Sequence, residues 1–149
     1  MNHQAAPSRL ERCLSAIVDD WLVVATTLGG IGIVVGVFLP WIRPDPAREV
    51  IRFVYMPGMS SGLEVNLTFV LLLLIVVSVA TSVLQGRSRF TSGVLVLTGL
   101  SSIALPAYYL IDIYIVYSGE FIPHIGSLLT ILAGTVLFIV NFSSAVLLQ

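Results

Sequence analysis

Lysine is missing from this chain: all seven basic residues are arginines, and with eight acids they leave a net charge of −1. A basic stripe, the electrostatic footprint of a nucleic-acid binder, is therefore excluded. Cysteine is nearly absent too. The one thiol, Cys13, cannot form an internal disulfide and has no zinc-like spacing around it. Charge of either sign is scarce, at 10% of residues against roughly a quarter in soluble proteins. No metal cluster, nucleotide loop, paired deep carboxylates or nucleophile constellation is present, so the sequence predicts neither an enzyme nor a cofactor.

What fills the chain instead is hydrocarbon. Apolar residues make up 57% of it, mean hydropathy is +1.02, and they come in long, almost uncharged runs that mark membrane spans. The expected fold is an all-α membrane protein, a four-transmembrane-helix bundle forming one domain over the whole chain. The first span is read over 21–41, between Trp21 and Trp41, whose indoles favour headgroup depth, with Pro40 at the exit. Span two covers 67–85, where thirteen Leu, Ile, Val and Phe residues favour insertion. Span three covers 90–117. As one helix it would reach about 42 Å against a hydrocarbon core near 30 Å, so part of it must tilt, kink at Pro106 or project. Span four covers 126–148 without a charge and with almost no tail after it.

Four spans put both termini on one side. Arg9 and Arg12 precede span one, and Arg87 and Arg89 crowd the turn after span two, whereas Arg43, Arg48 and Arg52 spread through a longer loop. The short-loop arginines favour cytoplasmic termini. Ahead of the first span, Ser8 and Glu11 fit a capping box. The stripe Leu10, Leu14, Ile17, Val18 and Trp21 predicts an amphipathic interfacial helix over 8–20, with a plain extension of span one as the alternative. In the outer loop, 42–66, Glu49 to Met56 and Leu63-Glu64-Val65 flank the turn-forming Pro57-Gly58, and a small β-hairpin is the natural reading.

Ala25, Gly29, Gly32 and Gly36 share one face of span one, and Ser127, Thr130, Gly134 and Asn141 form a comparable stripe on span four. Such faces let helix backbones approach closely, within the chain or against a second subunit. Asp112 is the lone acid in any span, but it lies about 33 Å along an ideal helix from Phe90, at headgroup depth. Tyr108, Tyr109, Tyr114 and Tyr117 around it read as interface anchors, with Tyr108 and Tyr109 placed to bond its carboxylate. Glu64, Asn66 and His124 open neighbouring spans on the same side and could join Asp112 in an outer polar cluster binding a proton, a cation or a headgroup. Interfacial solvation is the plainer reading. The sequon-like Asn66-Leu67-Thr68 and Asn141-Phe142-Ser143 lie at or inside the membrane boundary and carry no glycan expectation.

Phe38-Leu39-Pro40-Trp41 closing a glycine-rich first span, Tyr55-Met56-Pro57-Gly58-Met59 in the loop, and Pro123 with Gly126 opening the last span form a recurrent set. The set resembles small four-span membrane proteins of unknown function common in halophilic archaea. The resemblance implies topology and no activity. Claudin-like and tetraspanin-like proteins need cysteines that this chain lacks. Quinone-linked thiol oxidases need a Cys-x-x-Cys, and small multidrug transporters need an acid deep in span one. The expected function is thus a non-enzymatic structural or accessory protein in a cell or virion membrane. Its expected partners are the lipid bilayer and other membrane subunits or copies of itself. A small oligomeric channel or transporter using the outer polar site is the alternative.

Overall fold

A computed structural model describes residues 9–47, 55–85 and 88–147. In chain order these form α1 (Arg9–Phe38), β1 (Ile42–Pro44), a single 3-10 turn (Gly62–Glu64), α2 (Thr68–Gln85), α3 (Arg89–Val116), β2 (Phe121–Pro123) and α4 (Ile125–Leu147). Three helical stretches are long and apolar enough to cross a membrane: Trp21–Phe38, Arg89–Val116 and Ile125–Ser144. The apolar part of α2, Thr68–Ser82, is shorter.

The helices alternate in direction, and their order across the bundle is α1, α4, α3, α2. Small residues explain that order. A Cβ added at Gly36 would stand 2.9 Å from the Thr130 nitrogen, and one at Gly32 would stand 2.8 Å from the Ala133 side chain. Between α3 and α4, a Cβ at Gly99 would meet the Phe138 nitrogen at 2.7 Å. Lipid tails are as apolar as leucine, so helices in a membrane gain by close van der Waals packing rather than by hiding from water, and glycine permits it. In the α2–α3 contact, the Ser78 and Thr98 hydroxyls are hydrogen-bonded at 2.7 Å. The helices α1 and α2 scarcely touch. Large apolar side chains such as Phe69, Leu73, Leu128 and Leu132 point outward on the bundle surface.

Several expectations change here. The helix expected over 8–20 and the first span are one uninterrupted helix from Arg9 to Phe38. The capping residue Ser8 lies outside the described residues. Pro106 is buried inside α3 without ending it. The loop hairpin is not formed as expected: Gly62–Glu64 is a 3-10 turn rather than a strand, and residues 48–54, which include most of its other arm, lie outside the described residues. The sheet joins the two loops instead. The antiparallel pair matches Ile42 to Pro123, Arg43 to Ile122 and Pro44 to Phe121. Each strand contains a proline, which cannot donate to a ladder and keeps the ladder short.

Candidate functional site

The capped end of the bundle is built around Trp41. Pro40 stops α1 and the backbone turns, which drops the Trp41 ring into the gap between helix ends. There it packs with Val37, Val65 and Leu71 and meets the Tyr109 ring edge-on, with centroids 6.1 Å apart. Its indole N–H donates to the Gly36 carbonyl at 3.0 Å, and its backbone carbonyl accepts from the His124 N–H and the Ser127 hydroxyl, both at 2.8 Å. Gly62 lies flat against the indole where any Cβ would collide. Trp41 was expected as a headgroup anchor; it is 0% exposed and acts as a plug. The reason is the turn at Pro40, which redirects the ring from the lipid face to the axis of the bundle.

Glu64 organises the turn above the plug. Its carboxylate accepts from the Tyr55 hydroxyl and from the backbone N–H groups of Gly58 at 2.8 Å and Ser60 at 3.4 Å. These donors, the Tyr55 hydroxyl foremost, hold the carboxyl below its ordinary value of 4.5 against a smaller opposing effect of burial. Gly58 has a φ of +91°, in the left-handed region that glycine occupies without strain. Its carbonyl accepts the Trp41 N–H at 2.8 Å. The Tyr109 hydroxyl donates to the Pro57 carbonyl. Outer loop, α3 and plug are thereby one hydrogen-bonded unit, closed on the far side by the β1–β2 pair.

The four residues of the expected polar cluster have separate situations. Glu64 is engaged by its own turn, while Asn66 and Asp112 are exposed. His124 has its Nδ1 buried with no hydrogen-bond partner among the described residues, which costs roughly 1–3 kcal/mol for such a group. No hydrogen bond joins any two of the four, and no group of three metal-ligating side chains occurs among the described residues. The bond expected between Tyr109 and Asp112 is replaced by the one to Pro57, because α3 turns that ring toward the loop. Tyr108 and Tyr114 are exposed, as is Trp21 at 68%, while Tyr117 is half-buried against Phe121.

The small-residue faces meet each other. Ala25, Gly29, Gly32 and Gly36 lie on the buried side of α1, and the last three face Leu137, Ala133 and Thr130 of α4. Ser127, Thr130 and Asn141 are buried on α4, and a Cβ at Gly134 would stand 2.7 Å from the Ser102 side chain of α3. Gly62 and Gly126, read from the sequence as turn and span-opening residues, and Gly99, which the sequence reading did not single out, complete these close approaches. The signal for Gly99 was there, since it and Ser102 share a helix face with Thr91 and Thr98.

No family model, curated protein or solved structure matches the chain.

At the other end, α1 and α2 diverge and leave a cleft of about 610 Å³. Leu22, Gly30 and Val34 line it from α1, Ile75 and Val79 from α2, and Asn141 from α4.

Proposed function

We propose that this chain is a non-enzymatic integral membrane protein that crosses the bilayer four times with both termini cytoplasmic. In this reading it serves as a structural or accessory subunit of a larger membrane complex or membrane-containing particle. The observation that carries the proposal is how the interior is closed. The α1–α4–α3 seam is packed backbone to backbone through Gly36, Gly99, Gly126 and Gly134, and the buried hydroxyls along it donate to helix carbonyls. A bundle closed in this way offers no polar file for an ion or solute.

Direction and reach support four crossings. Thr98 of α3 bonds to Ser78 of α2, with α2 ending at Gln85 and α3 starting at Arg89, so the two helices run antiparallel, and eighteen helical residues in α2 extend about 27 Å, close to the hydrocarbon thickness. The four-span topology is also the one implied by the archaeal resemblance. Transport through the capped end has weaker support, since no hydrogen bond joins Asp112 and His124 among the described residues and the Trp41 ring is buried among the helix ends.

Crosslinking in intact native membranes, followed by mild-detergent isolation and mass spectrometry, tests the proposal. A stoichiometric membrane partner or a defined self-assembly is expected. A lone monomer with nothing crosslinked to it would overturn the subunit reading.

A further inference from the structure

Neighbouring helices of the bundle offer the membrane unequal lengths of apolar surface. On α3 the outward apolar side chains begin at Phe90 and continue through Leu97, Leu100 and Tyr108 to Ile111, beside the exposed Asp112. From Phe90 to Ile111 the helix rises about 32 Å, which matches an ordinary hydrocarbon core near 30 Å. On α2 the outward apolar side chains run only from Phe69 to Leu84, a rise of about 22 Å.

The hydrogen bond between Ser78 and Thr98 sets the two helices in register. Counted outward from that bond, Thr68 of α2 stands level with Tyr108 of α3. Counted inward, Gln85 stands level with Thr91. The shortfall of α2 therefore falls mostly at its outer edge.

That edge is not free to reach further. The Thr68 hydroxyl donates to the Gly62 carbonyl and ties the start of α2 to the turn above it. In the same turn, Glu64 is held by the Tyr55 hydroxyl and the Gly58 and Ser60 N–H groups. A carboxylate tied down in this way cannot snorkel, and tilting α2 would shorten its reach across the membrane still more. A short span with neither remedy is matched by the bilayer, which thins around it.

We infer that the outer face of α2 binds lipids with short acyl chains and thins the bilayer beside it, while α3 keeps lipid of ordinary length. The inference rests on the four-span reading, since α2 has to cross.

Tryptophan reporters test it in the full chain. Val76→Trp on α2 and Leu100→Trp on α3 are made separately, each with Trp21→Phe; both positions point outward, at 64% and 50% exposure, and buried Trp41 gives the same background in each. The proteins are reconstituted in vesicles of equal parts phosphatidylcholine with 14-carbon and with 22-carbon monounsaturated chains, about 14 and about 22 carbons being short and long of a matched core. One lipid at a time carries bromines near its chain ends, and the ratio of quenching by the short to the long lipid is read at each site. A ratio about threefold higher at Val76→Trp than at Leu100→Trp is expected. Equal ratios overturn the inference. Quenching of Val76→Trp by neither lipid and not by aqueous acrylamide overturns it too, because another chain then covers α2. Quenching by acrylamide alone would place α2 outside the hydrocarbon, and the four-span reading would fall along with the inference.

Discussion

Gly29 and Gly30 are neighbours in sequence and stand on different sides of α1. A Cβ at Gly29 would press on the Ala133 carbonyl and the Leu137 side chain at 3.3 Å, whereas one at Gly30 would have nothing within 4 Å. The contrast extends along the helix. Toward α4, glycine meets small partners, Thr130 and Gly126, and the backbones close. Toward α2, the cleft wall carries Ile75 and Val79, and the helices stay apart. Glycine on one helix is thus permissive, and the residue facing it decides whether an interface forms.

The sharpest way to break the comparison is at the top of the closed side. Trp41→Ala removes the plug that ties α1 to the outer loop and α4, and is expected to cost about 3–5 kcal/mol, read as a lowered Tm in mild detergent. A Tm near that of the unsubstituted protein would show that the cap contributes nothing to closure. Next in size, Gly36→Val forces α1 from α4 and is expected to cost about 1–3 kcal/mol or more. Gly30→Ala on the open side carries the opposite sign, a gain of about 0.5–1 kcal/mol from helix propensity alone. Equal effects of the two substitutions would erase the distinction between the faces.

The smallest effect belongs to Glu64. Its carboxyl is held below 4.5 in the folded chain, so its contribution to stability is complete above that value and is lost as pH falls through the lowered one. Acidification below pH 4.5 should therefore lower the Tm of the native protein more steeply than that of Glu64→Gln, by a few degrees at most. Parallel profiles would mean that the Tyr55 and Gly58 bonds to Glu64 do not support the cap.

Hydropathy made the apolar helices legible because each span declares itself locally, within about 20 residues. The α1 stripe of Ala25, Gly29, Gly32 and Gly36 was legible for the same reason, although its partner was not. Trp41 was misread because a tryptophan at the end of an apolar run has the same sequence signature whether it faces lipid or the bundle axis. The β1–β2 pair could not be read at all: three-residue strands have no periodicity, and Ile42 finds Pro123 only through the fold. Glu64 looked like one member of a cluster, yet its partners are the Tyr55 hydroxyl and the backbone N–H groups of Gly58 and Ser60, a set that no sequence spelling reveals. The cleft was invisible because it arises from two helices failing to meet.

The partnership of the first helix with the last sets a schedule for biosynthesis. Trp41 and Ser127 are 86 positions apart, so a ribosome making roughly 5–20 residues per second needs about 4 to 17 seconds to supply the second after the first. Through that interval, in the four-span reading proposed above, α1 would wait with its glycine face bare, beside an α2 that scarcely touches it. Surrounding lipid would then have to shield that face until α4 arrives.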